Sequence, residues 1–425
     1  MKKTLFTRVA FALSLLFVPL SALCHSHFYR AGSYNHEPRF DRNFLSSLDI
    51  SLSGGSSKHA YGPDSGKTDL LNVYGLHNFS QIFVGTPTAI VGGWTATQTA
   101  IINNMNNNNL VNKSASFGTV LFTGKVNYFE ANIHWAQNFK YGFFAESCIP
   151  IKCLEVTNVA FADQTAAGEK DANWQQFMAN FNTALAAFNV TAGNVKNTTV
   201  GDIVSSVGWT YNNDNLKSID FFDTTIKIGY SIPVADKSDR NQAFSIAAGR
   251  DGHVGIPVSF DFAIGFLDWV SWGAHVGGQF FLKQRTDMRV KTATSQNGFI
   301  KAALATGTRT LGNQWNIGTF LKADHLAGGF SLGMAYTFNA QEATTFVSDA
   351  NNLYSFNDAI INGDQMLQAW NQHIFHVSAE YDFAKEGRAI NPHIGLFYNR
   401  TIAGKRIFTT STVGGDAGVN ITWEF

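Results

Sequence analysis

The chain reads as all-β, a transmembrane antiparallel up-and-down barrel of about fourteen strands, with twelve left open and short helices in its external loops. Three observations carry this reading. Stretches of about ten residues alternate between apolar and polar side chains, the period of a strand whose two faces meet different surroundings. The terminal GDAGVNITWEF alternates likewise, with Val419, Ile421, Trp423 and Phe425 on one face and Asp416, Gly418, Asn420, Thr422 and Glu424 on the other. Composition is rich in aromatics and poor in charge, with 37 Phe, 38 Gly and only 15% charged residues, yet mean hydropathy is near zero. A bilayer offers no water to exposed backbone groups, so a spanning sheet must close on itself, one face to lipid and one to the lumen.

Taken from the start, residues 1–24 read as a secretory signal peptide. Lys2, Lys3 and Arg8 precede an apolar run over 9–20 and small residues up to Cys24, too short a run for a membrane anchor. Leu23 is too large for a lipoprotein site, and cleavage after Ala22 or Ser26 stays open beside Cys24. A periplasmic segment (25–43) and the barrel (44–425) follow. Cleavage after Cys24 would leave His25-Ser26-His27 at the terminus, where amine, amides and imidazole can form a square plane for copper(II) or nickel(II). The alternative is an unstructured tail with incidental histidines. No other cofactor is implied. Removing the leader's three bases leaves 28 Lys plus Arg against 31 Asp plus Glu, which gives no basic excess for nucleic acid.

Strands are expected at 44–54, 69–77 and 80–91, then over 120–135, where the apolar set shifts from even to odd positions. That shift predicts a β-bulge near Tyr128 and Phe129. The clearest spanning stretches are 224–232, 258–266, 330–339 and 375–383. Turns at 138–140, 267–269, 324–328 and 384–389 alternate with long polar stretches at 157–216, 290–310 and 343–368, provided a short strand occupies 243–250. Asp251-Gly252 has turn composition, and His253 beside it reads as a solvated turn residue. Cys148 and Cys153 would point to opposite faces of a regular strand, so a disulfide needs a bend at Pro150.

A leader at one end and an alternating strand closing on an aromatic at the other make the chain similar to the porin-like superfamily of Gram-negative outer-membrane β-barrels. That resemblance implies an integral outer-membrane location, a lipid surround, and recognition of Val419, Ile421, Trp423 and Phe425 by the barrel-insertion machinery. The strand count is similar to that of the long-chain fatty-acid transporters and some small monomeric porins, although no local motif of the fatty-acid family is present.

Function is expected in loops and lumen. Trp174, Phe177 and Phe181 recur at helical spacing in the longest loop, as a rim cap, a lid folded into the mouth, or a cell-surface contact. A second helix is expected within 358–370, and NNMNNNN at 103–109 reads as a surface loop. Opposite the apolar stripe, Lys227, Asp261, His275, Gln279, Lys283, Asn316, Lys322, His376, Glu380 and Asp416 should line the lumen. Phe281, Phe320 and Phe397 should narrow it. Mixed charge gives no ion preference, and cross-lumen pairing that only holds the wall together is the competing reading. His134, near Glu130 and Asn132 on an inward face, reads as polar packing. No nucleophile, base and orienter are legible as a set, so no enzyme is expected. The expected function is a porin-like channel for passive transport of small solutes. The alternatives are a largely closed barrel acting as surface scaffold or adhesin, or a gated transporter for hydrophobic molecules. A homo-oligomer stays open.

Overall fold

Twelve antiparallel strands close into a barrel in which each pairs with its two neighbours in sequence. They are β1 (Leu45–Ser57), β2 (Thr119–Asn138), β3 (Phe143–Asp163), β4 (Ile203–Asn213), β5 (Phe221–Ile232) and β6 (Gly255–Phe266), then β7 (Val270–Phe281), β8 (Gln314–Ala327), β9 (Phe330–Gln341), β10 (Trp370–Asp382), β11 (Ile390–Lys405) and β12 (Ser411–Thr422). Closure is made by β1 against β12, where Leu45 meets Thr422 and Ser56 meets Ser411. The computed structural model describes residues 45–82, 117–214, 219–267, 269–352, 355–383 and 389–422. The leader, His25, His27, the asparagine run, Trp423 and Phe425 lie outside them.

Side-chain polarity is inverted relative to a water-soluble protein. Leu48, Ile50 and Leu52 on β1, Ile226 and Ile228 on β5, Ile317 and Leu321 on β8, and Leu332 and Met334 on β9 are exposed on the outer face. Aromatics ring the end with the short turns, among them Trp135, Tyr141, Trp209, Trp269, Tyr381 and Phe383. An apolar belt with an aromatic girdle is what lipid contact selects. The connections at this end are short. At 139–142, Tyr141 and Gly142 both take positive φ, and a Cβ on Gly142 would sit 2.1 Å from the Thr210 carbonyl oxygen.

The strand count resolves to twelve, and three expected strands are absent or incomplete. Residues 69–77 form a 3₁₀ turn (Leu70–Asn72) whose Leu70, Leu71, Val73 and Tyr74 are buried. Only His77–Asn78 pairs, briefly, with β2. Phe79–Gln81 is another 3₁₀ turn, and the expected strand beyond Ile82 lies outside the described residues. Residues 243–250 form no strand. A further strand, Val195–Val200, extends the sheet along the outer half of β3.

The bulge lies elsewhere than expected. On β2, even positions face inward along the whole strand: Val120, Phe122, Val126 and Tyr128 are buried while Phe129, Ile133 and Trp135 are exposed. At 20 residues β2 is twice the span of a bilayer, and its outer half leaves the lipid. There the inward face, not the outward one, meets apolar partners. The register shift falls on β3 instead, where Thr123 pairs with Ala160 but Lys125 with Thr157, and Asn158 adopts φ 55°. Cys148 and Cys153 form no disulfide and lie on opposite faces of β3, which stays regular through Pro150.

Above the barrel the long loops build a cap with its own core. Leu70, Leu71, Phe79, Phe117, Phe122, Phe244, Phe299 and Ile300 join Trp174, Phe181 and Leu185 from α1 (Ala172–Ala179) and α2 (Phe181–Ala187). The predicted single helix is broken at Asn180, and the second is confined to α3 (Asp358–Asn362). Asn72 caps the free edge of β2 above β1, accepting from Phe122 N at 3.2 Å and donating to Phe122 O at 2.7 Å.

Candidate functional site

The lumen is built by parity. Because alternate residues of every strand face inward, nine of the ten predicted lining residues, Lys227, Asp261, His275, Gln279, Asn316, Lys322, His376, Glu380 and Asp416, occupy inward positions. The exception is Lys283, which lies past the end of β7 and is exposed. Strand β7 ends at Phe281, before Lys283 is reached.

In the half nearer the turns, inward side chains remain partly accessible. Asp49 is 22% exposed, His134 30% and Glu380 27%. They form two ionic groups. In the first, His393 Nε2 meets Asp49 at 2.7 Å, His134 lies 3.6 Å from Asp49 and 3.8 Å from Glu146, and Lys227 sits 3.5 Å from Glu146. In the second, Lys322 bridges Glu380 at 2.9 Å and Asp324 at 3.1 Å. A chain of hydrogen bonds crosses the wall from β7 to β11: His275 bonds Asn316, Asn316 bonds Asn339, and His376 joins Thr337 and Asn399 at 2.9 Å each. Both expected roles are therefore combined, since the charges pair along the wall and still face accessible space.

The inward phenylalanines narrow the pore less than expected. A Cβ on Gly273 would lie 2.4 Å from the Phe320 ring, and one on Gly414 would lie 2.2 Å from Phe397. These rings lie flat over glycines of the adjacent strand instead of crossing the lumen.

Near the cap the inward side chains of β7 to β10 become buried. Gln279, Gln314 and Gln341 are lateral neighbours on β7, β8 and β9, and Gln341 faces Trp370 on β10. The three amides are at most 3% exposed. Trp370 Nε1 donates to Gln341 Oε1 at 2.7 Å, and Gln372 donates to Thr401 Oγ1 at 2.7 Å. The girdle continues through Arg250, which donates to Gln279 Oε1 at 2.5 Å and to Ser231 Oγ on β5 at 2.9 Å. Arg250 belongs to the segment expected as a strand. Instead, the segment folds into the mouth, held by the buried Asp202 carboxylate, which accepts from Ala235 N at 3.2 Å and Arg250 N at 2.5 Å. His253 is likewise buried, not solvated. Its Nδ1 lies 3.0 Å from Leu282 O, and burial pushes its pKa down to about 4.

Two adjoining cavities lie on the outer side of the girdle. The outer, about 670 Å³, is walled by Arg240, Arg285, Arg289 and Arg309. The inner, about 130 Å³, has Tyr74, Gln341, Gln368 and Trp370 in its lining and shares Arg289 and Arg309 with the first. Three of these arginines have carboxylate partners: Arg309 meets Asp251 at 2.6 Å, Arg285 meets Asp349 at 2.7 Å, and Arg240 pairs with Asp287. Arg289 instead donates to the carbonyls of Ala302, Phe188, Asn189 and Arg240, stitching three loops together. Of the lid residues, Trp174 and Phe181 are fully buried in the cap and Phe177 packs against it.

No family description matches the chain, and no curated protein matches it. Solved structures do. An outer-membrane channel from Pseudomonas putida F1 is 8% identical with a TM-score of 0.50, over 93% of this chain and 99% of that one. The translocator domain of the autotransporter NalP from Neisseria meningitidis is 8% identical with a TM-score of 0.37, over 91% and 90%. The transport unit of the autotransporter AIDA-I from Escherichia coli is 6% identical with a TM-score of 0.36, over 92% and 94%. With its closed antiparallel sheet and apolar outer belt, the chain has the β-barrel fold of the Pseudomonas putida channel.

Proposed function

We propose that this barrel is a channel for passive movement of small polar solutes, constricted at one level and gated by the segment that carries Arg250. The observation that supports it best is the sequence of spaces along the axis. Two cavities lie outside the glutamine girdle, and partly exposed charged side chains line the lumen inside it. A scaffold with no transport role would have no reason to keep charged groups wet on both sides of one thin closure. The similarity of fold to a Pseudomonas putida outer-membrane channel is in keeping with this reading.

Arg250 is the element to move. It contributes hydrogen bonds from a loop to two barrel strands, so truncating it unpins the loop without removing a strand. In planar bilayers the refolded wild-type protein is expected to give small, stable current steps, and Arg250→Ala to raise unit conductance severalfold. Silence in both, with heat-modifiable mobility showing folded barrels, would overturn the channel reading in favour of a closed scaffold.

The same reading assigns no catalysis: His134 lies between Asp49 and Glu146 as part of the wall, each ring nitrogen facing a carboxylate. Val419 and Ile421 occupy the lipid face of β12, paired with Leu48 and Ser46. We assign to that face recognition by the insertion machinery. A homo-oligomer would use the same kind of outward surface, and its mass in detergent would decide that point.

A further inference from the structure

The girdle has chemistry as well as position. Among the described residues, both ends of the Gln314 amide and the Gln279 Nε2 are buried without a hydrogen-bond partner. Gln314 is 3% exposed and Gln279 is wholly buried, and both sit on the inward face. Unsatisfied buried amides are costly, about 1–3 kcal/mol each, so a pair of them on adjacent strands is retained where something else completes their bonds. Beside them, the inner cavity presents Gln341 and Gln368 together with the rings of Tyr74 and Trp370.

Amides that donate and accept, set next to aromatic faces, suit a solute with hydroxyl groups at its edges and C–H bonds on its faces. They do not suit an ion. An amide cannot compensate a full charge leaving water, and the nearby Arg250 and Arg309 are already balanced by Asp202 at 3.8 Å and Asp251 at 2.6 Å.

We propose that Gln279 and Gln314, beside a Gln341 whose amide already bonds Gly312 O and Trp370 Nε1, form a binding subsite for a small neutral polyhydroxylated solute at the constriction of the channel. This rests on the channel reading and names the class of solute that passes. The solute gathers in the inner cavity against Trp370 and Tyr74, exchanges its water for the girdle amides, and is released into the charged half of the lumen.

The test uses the full mature chain in proteoliposomes, with ribitol as the neutral probe, gluconate as an anion of similar size, and potassium current measured in parallel. Wild type is expected to pass ribitol faster than gluconate. Gln314→Leu, close in volume but without polar ends, is expected to slow ribitol roughly tenfold while potassium current stays within twofold. Gln314→Asn is expected to restore part of the flux. Gln279→Leu is measured alongside and decides the question if Gln314→Leu does not fold. Ribitol flux unchanged in the folded leucine variant would overturn the subsite, the amides then being satisfied by water alone, and would leave the channel standing. Wild type passing neither potassium nor ribitol would overturn both.

Discussion

Glu146 shows how the wall manages charge. Its carboxylate is 3% exposed, accepts from Ser206 Oγ at 2.9 Å, and faces Lys227 at 3.5 Å on a lysine only 7% exposed. Removing one member of a buried pair leaves the other stranded, which costs about 3–5 kcal/mol, whereas removing both is often close to neutral. Glu146→Gln is therefore expected to lower barrel stability by about that amount in urea titrations. Adding Lys227→Met should recover most of it. If the double variant is no more stable than the single, the pair is not coupled as described. The pairing was only partly legible from sequence. Alternation placed Lys227 inward, but Glu146 lies on a different strand, and which residues meet across strands depends on a register that one chain's pattern does not display.

At the scale of elements, the strands in lipid were legible because the bilayer imposes one apolar face over their whole length. The outer half of β2 was not, since there the apolar partners are cap residues on the inward side and the pattern reverses without a bulge. The segment 243–250 misled for a different reason: a strand there was required only to keep short turns and long loops alternating, whereas Phe244 and Ile246 join the cap core. The helices were legible from the spacing of Trp174, Phe177 and Phe181, but their burial against β2 and the 70–82 segment was not.

The cap also carries a pH dependence. His77 is fully buried among Phe122, Phe244 and Phe299, and its Nε2 accepts from Phe299 N at 2.9 Å. Burial pushes its pKa down to about 3, helped by the nearby Lys301, and burial likewise lowers His253 to about 4. Both are neutral in the folded cap and protonate near 6.5 when released. The unfolded form therefore binds more protons as pH falls below about 6.5, so cap stability falls with pH across that window. Hydrogen exchange, corrected for intrinsic rates, should show protection in residues 70–82 and 299–302 falling between pH 7 and pH 4.5 while the barrel strands stay protected. Equal protection at both values would contradict this account of the buried histidines.

For the whole molecule, charge distribution decides what kind of ion moves. Below the cap, the inward positions of the described strands carry the carboxylates Asp49, Glu130, Glu146, Asp223, Asp261, Asp324, Glu380, Asp382 and Asp416 against the lysines Lys152, Lys227 and Lys322. The ten lining residues picked out by alternation alone showed mixed signs. The imbalance emerges only when every strand is placed in the closed barrel and Asp49, Glu130, Glu146, Asp223, Asp324 and Asp382 join the count, against Lys152 alone. A lumen with low-dielectric walls concentrates counter-ions of the opposite sign, so whatever ionic current crosses the girdle should be carried mainly by cations.

The most direct test of the channel account is the reversal potential of the refolded wild-type barrel in a planar bilayer under a tenfold potassium chloride gradient. Stable steps that reverse on the potassium side of zero are the predicted result. Current that reverses on the chloride side, or no current through folded barrels, would contradict it.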